Sequence, residues 1–145
     1  MIIWFDMDGT LFDLYGVPSW LASLQNYDAT PYIRAGVMHN MSKLARYLNR
    51  AQAAGCELGI ISWLSRSSTA AYDEAVTKAK LASLRKHLPS VHWNHINIVS
   101  YGTPKINYKI TNQDILFDDE VKNRREWNGS AYMPHEIFTV LKRLL

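Results

Sequence analysis

The chain has 145 residues, of which 48% are hydrophobic and 20% are charged. This composition is typical of a globular protein and excludes a disordered or fibrous one. Lys and Arg number 16 and Asp and Glu 13, and the resulting charge of +3 permits an anionic partner without requiring one. Cys56 is the only cysteine, which excludes an intramolecular disulfide framework. With no visible export signal and no apolar run long enough to span a bilayer, we expect a cytoplasmic protein without a membrane segment.

The first part of the chain contains one short strand and a long connection. The continuous apolar run Ile2–Phe5 predicts a strand that is buried on both faces of a parallel sheet. Residues 10–36 carry glycine and proline punctuation, so we expect an irregular segment there. Within it, a short helix is predicted over residues 19–27, with Ser19 as its N-cap.

The rest of the chain alternates between helical periodicity and apolar runs. Helices are predicted over residues 41–51, with Gly55 as the stop, from a cap at Ser67 and Ser68 to about Leu88, and from His135 onward. Strands are predicted over residues 57–62, 96–99 and 115–117. This alternation predicts a single α/β domain over residues 1–145 with a mostly parallel sheet.

The sharpest motif is Asp6-Met7-Asp8-Gly9-Thr10, directly after the first predicted strand. Side chains two residues apart in an extended chain point the same way, so both carboxylates can face one site. Two carboxylates this close repel each other unless a cation or a shared proton relieves them, and Mg²⁺ prefers such oxygen ligands. A solvated acidic turn is the alternative interpretation. The position after a buried strand favours the functional one.

The motif, continued by Leu11, resembles the first motif of the haloacid dehalogenase superfamily. Three further motifs of that superfamily follow in the same order: Ser62 at the end of a strand, Lys105 as the basic residue, and Asp118-Asp119 as the acidic pair. The resemblance extends over about residues 2–120. It implies a three-layer, doubly wound, Rossmann-like α/β fold with a mostly parallel sheet.

The resemblance also implies a magnesium-dependent phosphomonoester hydrolase. In that superfamily the residue at Asp6 is the nucleophile, which forms an aspartyl-phosphate. Asp8 would protonate the leaving alkoxide and later deprotonate water, and an acid at this position is typical of the phosphatases. Ser62, Lys105 and the backbone around Met7 would bind the phosphoryl group. The implied magnesium ligands are Asp6, Asp8 through its carbonyl, Asp118 and Asp119, the last either directly or through water.

Two departures from the superfamily pattern leave questions open. Only 13 positions separate Lys105 from Asp118, so the usual helix between them should be short or absent. Lys109 therefore stays an alternative for the basic residue. Residues 10–36, where a cap domain is often inserted, number only 27 and predict a short flap, with no cap or a minimal one.

Aromatic and basic residues near the site suggest the kind of substrate. Trp63 and Arg66 follow Ser62, and Trp20 lies on the 10–36 segment, so all three are candidates to contact substrate. Aromatic side chains stack on bases, which predicts a nucleotide or a nucleic-acid phosphate end. Packing of Trp20 on the core is the alternative. An open site also suits a small substrate that a partner subunit covers, so an oligomer is compatible with this interpretation.

Two other classes of protein fit part of the pattern. A phosphorylated receiver domain also carries acids, Ser or Thr and Lys on a parallel sheet, but there the lysine comes last, whereas here Asp118 and Asp119 come last. A non-catalytic nucleic-acid or protein-binding module could keep the fold. The intact Asp6 and Asp8 argue against it, because binding alone does not need both.

Overall fold

Seven strands and six helices follow one another along the chain, and the computed structural model describes all 145 residues. The strands are β1 (Ile2–Phe5), β2 (Phe12–Asp13), β3 (Gly36–Val37), β4 (Glu57–Trp63), β5 (His95–Val99), β6 (Ile115–Phe117) and β7 (Ala131–Tyr132). The helices are α1 (Trp20–Gln25), α2 (Thr30–Arg34), α3 (Met41–Ala53), α4 (Ala70–His87), α5 (Val121–Glu126) and α6 (Ile137–Leu144).

Five strands form a parallel sheet in the order β5-β4-β1-β6-β7. All four side chains of β1 are buried, as expected for a central strand that is covered on both faces. In the register of the sheet, Phe5 lies opposite Ile60 of β4 and Phe117 of β6. The carboxyl ends of β4, β1 and β6 therefore meet at one edge. This is the edge at which open α/β sheets bind ligands.

The two faces of the sheet are covered unequally. Alternate side chains of β1 point to opposite faces, so Ile3 and Phe5 pack in the large cluster with the apolar sides of α3, α4 and α6. Trp4 packs in a smaller cluster with Trp127, which follows α5. This arrangement is the predicted three-layer, doubly wound fold. The connection from β5 to β6 contains only a 3-10 turn at Lys105–Tyr108, in agreement with the short spacing before Asp118.

Three sequence-based expectations about local structure were wrong. Residues 10–36 are not irregular, because β2 and β3 form an antiparallel pair that flanks α1 and α2. Ser19 does not cap α1: it has a left-handed backbone, with φ of +60°, and its side chain makes no capping bond. Thr69, rather than Ser67 or Ser68, caps α4 by accepting a hydrogen bond from the Tyr72 N–H at 3.2 Å.

The remaining predicted elements are present with ends that shift by a few residues. β7 and α5 were not predicted, because two and six residues are too short to show a periodicity. No helix combines the length and apolar content that crossing a bilayer requires.

Candidate active site

The loop after β1 brings the first motif to the edge of the sheet. Asp6 directly follows β1, and its side chain is buried. The chain then turns sharply at Gly9, which has a φ of +79°. A β-carbon at Gly9 would overlap the Asp119 carboxylate and lie 2.9 Å from the Tyr15 ring. Glycine is therefore required here both for the backbone conformation and for the close approach of the fourth motif.

Asp6 is held by hydrogen bonds to both carboxylate oxygens. Lys105 Nζ donates to Oδ1 at 2.8 Å, and Thr10 Oγ1 donates to Oδ2 at 2.9 Å. Lys105 also contacts Asp118 at 2.7 Å, and its side chain is almost fully buried. Lys109 points elsewhere and donates to backbone carbonyls after α5. Of the two lysines considered for the third motif, Lys105 is therefore the one that contacts the acidic residues.

Three carboxylates converge at this point. Asp6, Asp118 and Asp119 each offer an oxygen atom, and these atoms lie within 4.8 Å of one another. The Asp8 side chain lies outside this group and contacts Lys80 instead, at 2.7 Å. The backbone carbonyl oxygen of Asp8 accepts no hydrogen bond in the chain, so it remains available for the metal role that the resemblance implies.

Crowding of the carboxylates changes their affinity for protons. Burial and the charge of Asp6 raise the pKa of Asp118 to about 6, against the opposing effect of Lys105. Burial and the same charge raise the pKa of Asp119 to about 8. Burial also raises the pKa of Asp8, although Lys80 opposes it. The raised pKa values of Asp118 and Asp119 thus report a repulsion among the carboxylates that a bound cation would relieve.

This donor set fits a divalent cation with a preference for oxygen ligands. Besides the three carboxylates, the buried Oδ1 of Asn123 has no hydrogen-bond partner, and Asn123 lines the same cavity. When all carboxylates at the cavity are ionised, the five acids Asp6, Asp8, Asp118, Asp119 and Glu120 exceed Lys105, Arg66 and the adjacent Lys80 by two negative charges, which one Mg²⁺ would balance. Oxygen-only coordination is the chemistry that Mg²⁺ selects, so the residues present fit magnesium.

Groups that could bind a phosphoryl oxygen lie beside the carboxylates. The backbone N–H groups of Met7 and Asp8 donate to no acceptor in the chain, which leaves them free for a ligand. Ser62 lies next to the site, but its side chain is fully buried and accepts a hydrogen bond from Lys80. Its predicted contact with phosphate stays a prediction.

Lys80 is the site residue that sequence reasoning missed. It lies in the middle of α4 and is 2% exposed, with its ammonium group beside Asp8 and Ser62. A signal was available: Val76, Lys80 and Leu84 follow one another at intervals of four, so the lysine continues the apolar side of the helix.

A cavity of about 760 Å³ adjoins the acidic residues. One wall comes from the 10–36 segment, where Trp20 meets Tyr15 edge-to-face with ring centroids 4.9 Å apart. Trp20 is half-buried and belongs to none of the buried core clusters, which favours a place at the cavity over packing on the core. The segment covers one side of the site, which is therefore less open than the short insertion suggested.

The rest of the cavity lining includes the other two predicted substrate contacts, Trp63 and Arg66. Trp63 and Tyr101 pack with ring centroids 5.0 Å apart, and the Trp63 Nε1 donates to the Thr103 carbonyl at 2.9 Å. Arg66 lies over Tyr101, 5.9 Å from the ring centroid, and forms no ion pair. The structure thus brings Trp20, Trp63 and Arg66 to one cavity, with a free positive charge near its rim.

Magnesium is expected to raise the melting temperature of the protein by several degrees. Binding to the folded state alone stabilises by about 2.7 kcal/mol at a hundred times the dissociation constant, and each kcal/mol is worth roughly 2–4 °C at this size. Thermal unfolding with and without Mg²⁺, at matched ionic strength, measures the shift. Asp118→Asn should reduce it strongly, and Glu74→Gln, on the exposed side of α4, should not. Equal shifts in wild type and Asp118→Asn would contradict the assigned site.

Solved structures share this fold. The D,D-heptose 1,7-bisphosphate phosphatase from B. bronchiseptica, complexed with magnesium and phosphate, matches with a TM-score of 0.58 and 10% identity, over 96% of this chain and 86% of that one. The corresponding phosphatase from Burkholderia thailandensis matches with a TM-score of 0.52 and 12% identity, over 86% and 69%. No protein-family model and no curated protein sequence matches the chain. The likeness extends over most of the chain, so the Rossmann-like α/β fold that the resemblance implied is confirmed.

Proposed function

We propose that the chain is a magnesium-dependent phosphomonoester hydrolase that acts through an aspartyl-phosphate on Asp6. One observation carries the proposal: Asp6 is a buried carboxylate at the carboxyl end of the central strand, 2.8 Å from Lys105 and within 4.8 Å of two further carboxylates. An anion held there by a lysine and free N–H groups would lie against a nucleophile. A binding protein has no need of that arrangement.

The first step transfers the phosphoryl group to the protein. An oxygen of Asp6 attacks phosphorus, a new P–O bond forms, and the bond to the leaving alkoxide breaks. Asp8 donates its proton to that alkoxide, and its raised pKa suits it to hold a proton for this purpose. The ammonium group of Lys105 and the N–H groups of Met7 and Asp8 stabilise the charge on the phosphoryl oxygens.

The second step releases phosphate. Asp8, now a carboxylate, takes a proton from water, whose oxygen attacks phosphorus and breaks the bond to Asp6. Asp6, Asp118 and Asp119 would hold magnesium, together with the Asp8 carbonyl. The bound ion would neutralise phosphoryl charge during transfer.

The direct test is hydrolysis of p-nitrophenyl phosphate by the purified chain. We expect release of nitrophenol that depends on Mg²⁺ and stops when a chelator is added. A chain that binds magnesium but releases no nitrophenol would contradict the proposed activity and favour the non-catalytic binding module.

The cavity favours a substrate with a flat group, for which we propose a nucleotide or a nucleic-acid phosphate end. Aromatic rings line the cavity in two pairs, Tyr15 with Trp20 and Trp63 with Tyr101. Base stacking on such rings contributes about 1–3 kcal/mol per base. Arg66, with no partner in the chain, would add attraction for an anion at the rim.

The nucleotide proposal predicts a selective effect of Trp20→Ala. We expect it to raise KM for a nucleoside monophosphate by about tenfold, since stacking is lost, and to leave KM for glycerol phosphate almost unchanged. Steady-state kinetics on both substrates measure the difference. Tyr47→Ala, on α3 away from the cavity, is the control.

A sugar bisphosphate is the competing substrate, because two of the structural neighbours are phosphatases of heptose 1,7-bisphosphate. A panel of phosphomonoesters on which sugar phosphates react far faster than nucleotides would overturn the nucleotide proposal.

We further propose that residues 10–36 act as a flap within a single domain of residues 1–145. We also propose a cytoplasmic location, and the site is compatible with an oligomer in which a partner subunit covers a small substrate.

A further inference from the structure

A lysine is buried behind the proposed acid. Lys80 lies on the side of α4 that also carries the buried residues Tyr72, Val76 and Leu84. Placing an ammonium group among apolar side chains is costly unless it is paired and hydrogen-bonded. Its burial therefore requires specific partners, and these partners belong to the active site.

All three donors of this ammonium group are used. Lys80 Nζ lies 2.7 Å from Asp8 Oδ2, 2.5 Å from Ser62 Oγ and 2.9 Å from the carbonyl oxygen of Trp63. An ammonium group has three N–H donors, so none remains for a substrate. Lys80 does not line the cavity, whereas Asp8 does. The lysine can therefore influence the reaction only through the residues that it holds.

The contact divides the two oxygens of Asp8 between different roles. Oδ2 is fixed by Lys80, while Oδ1 accepts no hydrogen bond from the chain. Ser62 and the Trp63 carbonyl, both on β4, fix the position of Lys80 in turn. The carboxylate is thus anchored from the inner side, and its other oxygen remains for the substrate.

From this geometry we propose that Lys80 is a positioning residue for Asp8, which it holds so that the free oxygen meets the leaving oxygen of the substrate. The inference rests on the proposed function. The two lysines then have different roles: Lys80 aligns the proton donor Asp8, whereas Lys105 contacts Asp6 and the phosphoryl group. A charge that only attracted phosphate would need to reach the cavity, and Lys80 does not.

The leaving group of the substrate distinguishes positioning from a merely structural role. An alkyl phosphate such as glycerol phosphate needs a proton on its leaving oxygen, whereas p-nitrophenolate leaves without one. The test compares kcat/KM for the two substrates, because this constant reports the steps up to phosphoryl transfer and not the later hydrolysis. Any loss of phosphate attraction affects both substrates alike and cancels in their ratio.

For Lys80→Met we expect kcat/KM to fall about 100-fold on glycerol phosphate, within the 10²–10⁴ that general acid catalysis supplies. On p-nitrophenyl phosphate, kcat/KM should fall by about tenfold or less, because this leaving group needs no proton. Lys80→Arg keeps a charged donor, so its ratio of kcat/KM on glycerol phosphate to kcat/KM on p-nitrophenyl phosphate should stay close to that of wild type. Lys78→Met, an exposed lysine on the same helix, should leave both constants unchanged.

Three results would decide the proposal. An equal fall on both substrates in Lys80→Met would overturn it and leave the proposed function intact. Wild type inactive on both substrates would overturn the proposed function itself.

If Lys80→Met does not fold, Lys80→Gln replaces it, and the same change in the ratio of kcat/KM between the two substrates is expected. In an Asp8→Asn background, Lys80→Gln should no longer change the ratio, and a change there would also contradict positioning.

Discussion

Replacing Asp6 by asparagine is expected to reduce kcat/KM for p-nitrophenyl phosphate on the order of 10⁴-fold, the scale seen when a nucleophile or its partner is removed. The amide has the shape of the carboxylate but cannot form the acyl phosphate. Lys105 keeps its 2.7 Å contact with Asp118, and the repulsion among three carboxylates decreases. The loss should therefore appear in activity and not in the melting temperature.

The control for this variant is Glu74→Gln, which removes one negative charge from the exposed side of α4 and should keep full activity. A second readout is the protein mass after rapid acid quench with substrate. Wild type should carry one phosphoryl group, and Asp6→Asn none. If Asp6→Asn retained more than about 1% of the activity, far above what loss of a nucleophile allows, the aspartyl-phosphate route would be wrong.

The fold was predictable because its strands carry strong local signals. β1 and β6 are short apolar runs that end at acids, and they pair with each other in the interior of the sheet. The flap was less predictable, because β2 and β3 have two residues each and are held by pairing with each other. Their formation depends on tertiary contacts, which no local pattern shows.

Some site residues could likewise be predicted from the sequence, and one could not. Asp6, Asp118 and Lys105 are brought together by parallel strands whose ends can be read from the sequence. Lys80 is separated from Asp8 by 72 positions, and α4 carries several other basic residues that are exposed. A single lysine on the apolar side of a helix can be recognised as a site residue only when its partner, here Asp8, is known to lie beside it.

A second buried carboxylate, Asp114, supports the sheet and lies outside the cavity. It is fully buried and precedes β6. Its two oxygens accept hydrogen bonds from Ile2 N at 2.9 Å, Trp4 Nε1 at 3.2 Å, Ile110 N at 2.9 Å, Thr111 N at 3.1 Å and Thr111 Oγ1 at 2.6 Å. One side chain thus joins β1 to the loop that leads into β6.

Asp114→Ala is expected to lower the free energy of unfolding by roughly 4 kcal/mol or more, because each buried donor left without a partner costs about 1–3 kcal/mol. Urea unfolding at neutral pH measures the loss. Asp114→Asn, which keeps one carbonyl oxygen, should lose less. Asp13→Asn changes an exposed carboxylate that accepts a single bond from the Gly16 N–H, and it should cost about 1 kcal/mol at most.

The same contacts predict how this loss depends on pH. Burial alone would raise the pKa of Asp114, but the hydrogen bonds from Thr111, Ile110 and Ile2 outweigh it and lower the pKa to about 2. A carboxyl group with a lowered pKa stabilises the fold above its unfolded pKa and loses that contribution as the pH falls through the folded value. The difference in unfolding free energy between wild type and Asp114→Ala should therefore narrow by roughly 2 kcal/mol between about pH 4 and pH 2. A difference that stays constant over this range would show that the Asp114 carboxylate is not held by these donors.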